Sequence, residues 1–162
     1  MIVVISHPTP IEGEFQTLHQ LFDAGLEFFH LYKPGFSSKE IEAYWAQIPE
    51  KYRQKVSMHS DHLKFHSLQE LEKCSVDYEY AMLSPIFDSI SKRGYKSSFD
   101  LKELRNFLKG RKEKIIALGG IDEDKIEKIK EAGFSGIALL GAVWHSENPI
   151  RKYKVIKEKW MK

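Results

Sequence analysis

Short apolar runs alternate along the chain with stretches whose apolar residues recur every three or four positions. The first pattern marks buried strands and the second marks helices with one buried face. Strands are predicted at Ile2–Ser6, Phe28–Tyr32, Val56–His59, Lys64–His66, Tyr78–Leu83, Ile115–Leu118 and Ile137–Leu140. Between them, Phe15, Leu18, Leu21 and Phe22 repeat at helical spacing up to Gly25. Ser37 with Glu40, and Ser67 with Glu70, have the spacing of capping boxes. Asp100 and Glu103 open a helix carrying Leu101, Leu104 and Leu108, which Gly110 closes. Asp122 is expected to cap the helix of Ile126 and Ile129, which ends at Gly133. Asn148 and Pro149 begin a last helix with Tyr153, Ile156 and Trp160 inward.

Strands that are apolar throughout, alternating with helices, predict a parallel sheet covered by helices. The fold class is α/β, a TIM-type (β/α) barrel forming a single domain over residues 1–162. Ligands then bind at the C-terminal ends of the strands. One junction breaks the pattern. Only Ser60 to Leu63 separate the third and fourth strands, and a parallel crossover needs about a dozen residues. Seven strands are counted, where a closed barrel has eight. Either one β/α unit is lacking near residues 60–64, or a segment is missing from the recorded sequence. The regular spacing elsewhere favours the missing segment. A chain break or a sharp hairpin is expected there.

Composition narrows the classes of partner. The 162 residues are 42% hydrophobic and 30% charged, with 25 basic and 23 acidic residues and a net charge of +2. That balance gives no reason to expect nucleic acid or a membrane surface as partner. The single cysteine, Cys74, forms no intramolecular disulfide and belongs to no zinc-type cluster. The first apolar run, Ile2 to Ile5, is too short for a signal peptide or a membrane span, so a cytoplasmic address is expected.

The candidate chemistry follows the last three strands. Ser89 and Ser91 offer hydroxyls and Lys92 a charge in the loop that starts Ser84-Pro85-Ile86-Phe87-Asp88. Gly119-Gly120 and Gly141 end the next two strands, where bare backbone N–H groups can approach an anion. As a set, in this order, these residues predict a phosphate cradle. Each glycine alone is as well explained by a tight turn. Asp88 suits a turn or cap as well as a general base. Trp144 and His145 either cover the pocket or start the final helix. His7, His30, His59 and His66 all fall at strand ends, so a histidine metal site is conceivable. No tight ligand spacing or carboxylate supports it, and hydrogen-bonded residues lining the mouth explain them better.

Ser84-Pro85-Ile86-Phe87, Ser89-x-Ser91-Lys92, Ala117-Leu118-Gly119-Gly120-Ile121 and Gly136-Ile137-Ala138 together resemble thiamine-phosphate synthase and its relative, the thiazole tautomerase. The resemblance runs from about Lys64 to Trp144. It implies a commonly dimeric β/α barrel that joins hydroxymethylpyrimidine diphosphate to thiazole phosphate, with Mg2+, and releases pyrophosphate. It further implies that Ser89, Ser91 and Lys92 match the family's Thr-x-Thr-Lys phosphate loop. Gly119 and Gly120 would hold the thiazole phosphate, and His66-Ser67 would lie near the ligand. Lys92 and His66 are then the catalytic candidates, and Gly141 joins the phosphate set. The chain departs from the pattern elsewhere. His30-Leu31-Tyr32-Lys33 stands where the family has Gln-Leu-Arg, and His59-Ser60-Asp61 where it has Asn-Asp. Lys33, His59 and Asp61 are the candidates for the diphosphate side, and the usual metal ligand is unmatched. Pro85 stands where the tautomerase needs a histidine. The expected function is the transferase. The alternatives are a non-catalytic binder of thiazole phosphate or thiamine phosphate, and an isomerase of a phosphorylated small molecule. A metal-dependent hydrolase built on the four histidines is a further alternative.

Overall fold

In the computed structural model, residues 1–58, 63–88, 97 and 99–162 are described. The apolar runs form seven strands: β1 (Ile2–Ile5), β2 (Phe28–Leu31), β3 (Val56–Met58), β4 (Leu63–Phe65), β5 (Ala81–Leu83), β6 (Ile115–Leu118) and β7 (Gly136–Leu139). All pair in parallel, in the order β3-β2-β1-β7-β6-β5-β4. The helices are α1 (Glu14–Asp23), α2 (Ser38–Ala46), α3 (Glu50–Arg53), α4 (Leu68–Glu72), α5 (Leu101–Leu108), α6 (Ile126–Ala132), α7 (Gly141–Trp144) and α8 (Pro149–Met161).

Strand alternation divides the core in two. Val4, Phe29, Leu83, Ile115 and Leu139 face outward onto Leu18, Leu21, Leu104, Ile129 and Ile156 of the helices. Val3, Ile5, Met82, Ile116, Leu118 and Ala138 of the strands form a second cluster with Tyr80, the residue before β5. That cluster is the lumen of a curled sheet. Both faces of the central strands are therefore apolar, which is why their sequences run apolar without alternation.

The two ends of the sheet, β3 and β4, are consecutive in sequence. No ladder joins them among the described residues, and the parallel pairings point them the same way round the barrel. The expected sharp hairpin is thus not formed by these strands. The residues that link them, 59–62, lie outside the described residues. Five Cα steps from Met58 to Leu63 span at most about 18 Å. A chain that short can join the two end strands only if the sheet curls back on itself. The fold is a TIM-type barrel with seven strands among the described residues, and no pairing between β3 and β4 there closes it.

Side-chain caps set four of these eight helix starts, those of α2, α4, α5 and α8. Ser37 and Glu40 make the reciprocal capping box, and Asp100 and Asn148 accept from the first turns of α5 and α8. Ser67 accepts from Glu70 N–H, but the Glu70 carboxylate reaches back to His66 N–H instead of completing the box. Asp122 does not cap α6, which starts after Lys125. It instead accepts from Glu123 N–H and pairs with Lys152 of α8 at 3.2 Å. The strand expected at Tyr78–Leu83 begins only at Ala81. No helix among the described residues is long and apolar enough to cross a membrane.

Candidate active site

The β5 and β6 ends are joined beyond their strands. Ile86 N–H donates to Leu118 O at 2.9 Å, and Phe87 N–H donates to Gly119 O at 3.1 Å. The Ser84–Pro85 peptide is cis, and the segment from Ser84 to Ile86 is buried. It lies directly over the two glycines. A Cβ on Gly119 would come within 2.7 Å of Pro85 Cβ, and one on Gly120 within 2.7 Å of the Phe87 carbonyl carbon. Gly119 and Gly120 both have positive φ, +94° and +65°. Only glycine meets both demands, so the pair is required by close approach as well as by conformation.

Two adjacent N–H groups result at the C-terminal end of β6. The pairing of Leu118 with Ala138 turns the Gly119 N–H towards the β6–β7 ladder, and no backbone carbonyl outside the helices and strands accepts from the Gly120 N–H among the described residues. The β6–β7 register aligns Leu118 with Ala138, so the glycine pair lies beside Leu139 and Leu140, just before Gly141. Gly141 is the first residue of α7. Trp144, the last residue of α7, is buried and donates its indole N–H to Ile5 O at 2.6 Å. It ties the β7 end to the β1 end. His145 follows, with its ring 6.0 Å from that of His7.

His66 leaves β4 towards the same rim. Its Nδ1 lies 2.9 Å from Ser84 O. A carbonyl only accepts, so Nδ1 carries a proton. Nε2 of this exposed residue is then the ring atom open to a ligand in the neutral form. Pro85, beside it, carries no titratable group, which removes the acid–base position the tautomerase uses. His7 is hydrogen-bonded to Thr9, and His30 is buried against Tyr80. Among the described residues no group of three or more His, Cys, Asp or Glu is placed to hold a metal ion.

Lys33 is differently placed from the expectation. Its Nζ lies 2.8 and 2.6 Å from the Glu14 carboxylate oxygens and 3.2 Å from Thr9 O. The two side chains are only 1% and 4% exposed. The Tyr44 hydroxyl donates to the same carboxylate at 3.1 Å, and burial followed by the Glu14 charge pushes that hydroxyl's pKa up. The Lys33 charge is thus matched inside the protein, against α1 and α2, and presents no face to a ligand. Ser89, Ser91, Lys92, His59 and Asp61 lie outside the described residues.

One polar residue with no sequence signal, Ser97, is bonded to the segment that leaves β5. Ser97 Oγ donates to Ile86 O at 2.7 Å and accepts from Phe99 N–H at 3.2 Å, while Ser97 N–H donates to Asp88 Oδ1 at 2.9 Å. The Asp88 carboxylate thus takes a hydrogen bond from a loop N–H. A cavity of about 840 Å³ opens beside this segment, lined by Phe87, Asp88, Ser97, Gly120 and Lys125 among others.

The arrangement matches a known family over the same stretch. The family model described as "Thiamine monophosphate synthase" matches residues 55–143, which include β3 to β7 and both glycines. The chain belongs to the thiamine monophosphate synthase family. A thiamine-phosphate synthase of Vibrio parahaemolyticus is 34% identical over 83 residues, 51% of this chain and 41% of that protein. One from Anoxybacillus flavithermus is 27% identical over 118 residues, 72% of this chain and 54% of that protein. The chain thus spans about half the length of these curated relatives. The crystal structure of thiamine phosphate pyrophosphorylase from Bacteroides thetaiotaomicron superposes with a TM-score of 0.81 at 28% identity, covering 98% of this chain and 96% of that one. The thiamine monophosphate synthase resemblance read from the glycine and serine motifs is therefore confirmed, and so is the barrel fold.

Proposed function

We propose that the chain is a thiamine-phosphate synthase-type transferase, joining hydroxymethylpyrimidine diphosphate to thiazole phosphate. The observation that carries this reading is the glycine pair: Gly119 and Gly120, with positive φ and no room for a Cβ, held under Ser84–Phe87 at the mouth of the barrel. Preorganised backbone donors of this kind suit a phosphate, because they are paid for in folding and need no rearrangement on binding. Gly119, Gly120 and Gly141 would seat the thiazole phosphate. Ser89, Ser91 and Lys92 would supply hydroxyls and a positive charge from the β5 loop. His66 presents Nε2 to the same rim.

In the reaction, the pyrimidine methylene C–O bond breaks and diphosphate leaves with the electron pair. The thiazole nitrogen lone pair then forms the new C–N bond. Little proton transfer is needed, so the protein's task is to align the ring nitrogen and to balance the departing charge. Magnesium supplies such charge when bound. The described residues offer no cluster that fits it, and no step here is routed through it.

A second reading has its own observation. Tyr32 replaces the family arginine, and the charge of Lys33 is matched by Glu14. A barrel that seats thiazole phosphate without turning it over would look the same at Gly119 and Gly120. One assay separates the two. The full chain is incubated with magnesium, hydroxymethylpyrimidine diphosphate and thiazole phosphate, and thiamine phosphate is quantified. Product that disappears in a Ser91→Ala, Lys92→Ala double variant supports the transferase. Thiazole phosphate binding without product supports the non-catalytic binder. Absence of both overturns the phosphate site itself.

A further inference from the structure

The hydrogen bonds of Ser97 meet at one point. The β5 segment leaves over the glycine pair through Ile86 and Phe87, each bonded to β6 or its end. Eleven positions later the chain returns, and Ser97 Oγ closes on the Ile86 carbonyl. Its N–H closes on the Asp88 carboxylate. Ile86 is therefore held from both sides: its N–H by Leu118 and its carbonyl by Ser97. Phe87 and Asp88, between these bonds, form the roof that a Cβ on Gly120 would strike. Ile86 is buried, so its carbonyl has little access to water as a substitute acceptor partner.

We propose that Ser97, with Asp88 as its partner, is a positioning residue for phosphate binding, acting through Ile86–Phe87 on Gly119 and Gly120; this rests on the reading above that the glycine pair seats thiazole phosphate. Ser97 touches no reacting atom in this account. It fixes the height of the roof over the glycines and so the direction of their N–H groups. The serine is suited to the role because one hydroxyl can donate to Ile86 O and accept from Phe99 N–H at once. An alanine leaves both groups unpaired. A threonine retains the hydroxyl.

The test compares the full-length chain with Ser97→Ala, Ser97→Thr and Asp88→Ala. Affinity for thiazole phosphate is read by calorimetry, and KM and kcat by thiamine phosphate formation. Ser97→Ala is expected to weaken binding and raise the thiazole phosphate KM about tenfold, with kcat within about twofold. Ser97→Thr restores most of the affinity. Asp88→Ala, at an exposed position and so sparing the fold, gives a smaller loss of about threefold. Thermal unfolding accompanies each variant. A fall in melting temperature with unchanged affinity in both Ser97→Ala and Asp88→Ala overturns the proposal and leaves Ser97 a purely structural residue. If Ser97→Ala does not fold, unchanged affinity in Asp88→Ala is the overturning result. Wild-type protein that fails to bind thiazole phosphate overturns the phosphate reading itself, and this proposal with it. Wild-type binding with insensitive variants overturns only this proposal.

Discussion

The Tyr80 hydroxyl, on the arm of the sheet that ends in β4, is hydrogen-bonded to the His30 imidazole on the arm that ends in β3. The two rings are nearly parallel, with centroids 5.7 Å apart, and Ser57 of β3 is also hydrogen-bonded to the Tyr80 hydroxyl. One side chain thus bridges the lumen between the two arms of a barrel that strand pairing leaves open. Both His30 and Tyr80 are buried, so the bond forms out of water, where an unmade partner is costly.

Removing that hydroxyl is therefore expected to loosen the two arms. Tyr80→Phe keeps the ring and its contacts with Phe28 and His30 but removes the hydroxyl's hydrogen bond to the His30 imidazole. A loss of about 1–3 kcal/mol is expected in urea unfolding. A change below about 0.5 kcal/mol would mean the two arms are held by packing alone.

Alkaline pH tests the same burial from another side. Burial is the largest cause raising the pKa of Tyr44, Tyr80 and Tyr153 above the ordinary tyrosine value. Above pH of about 10 the unfolded chain loses these protons while the folded chain keeps them. The unfolded state then binds fewer protons, so stability falls as pH rises from there. Each such group contributes a slope of about 1.4 kcal/mol per pH unit within its window. Tyr80→Phe is expected to flatten the wild-type profile between pH of about 10 and 12 by up to one such slope. Parallel profiles would show that Tyr80 ionises freely in the folded protein.

What could be read from the sequence was what local chemistry decides. Strands β1, β2, β6 and β7 are legible because they are buried on both faces. The caps at Ser37, Asp100 and Asn148 act on residues two to three positions away, within reach of a sequence pattern. The single turn α3 carries no periodicity to find, since it holds only four residues and none of them is buried. Gly119 and Gly120 are legible as paired glycines at a strand end, the pattern behind the proposed phosphate site. Their other requirement, the roof of Pro85 and Phe87, lies more than thirty positions upstream. The internal pairing of Lys33 was hidden from the sequence for the same reason. Its partner Glu14 is on another element 19 positions away, and nothing in His30-Leu31-Tyr32-Lys33 signals an internal carboxylate.

That pair carries its own prediction. Lys33→Ala leaves the Glu14 carboxylate buried with only the Tyr44 hydroxyl as a side-chain partner among the described residues. A loss of about 3–5 kcal/mol is expected in chemical denaturation. Lys33→Met combined with Glu14→Gln removes both charges and keeps an oxygen to accept from Tyr44. The double variant should be clearly more stable than Lys33→Ala. A Lys33→Ala protein of wild-type stability that has lost its affinity for hydroxymethylpyrimidine diphosphate would return Lys33 to the ligand.

Two glycines with similar backbone angles separate the cost of conformation from the demand of the site. Gly110 has φ +79° and open space where a Cβ would point. Gly120 has φ +65°, and its Cβ would collide with the Phe87 backbone. Gly110→Ala should cost about 1–2 kcal/mol for the left-handed conformation alone. Gly120→Ala adds a displaced Phe87–Asp88 segment, because backbone atoms cannot step aside as the end of a flexible side chain can. Both variants should melt earlier than wild type. Only Gly120→Ala should weaken thiazole phosphate binding, by at least about tenfold in calorimetry. Equal affinity in the two variants would separate the glycine pair from the ligand and leave it a turn required by packing.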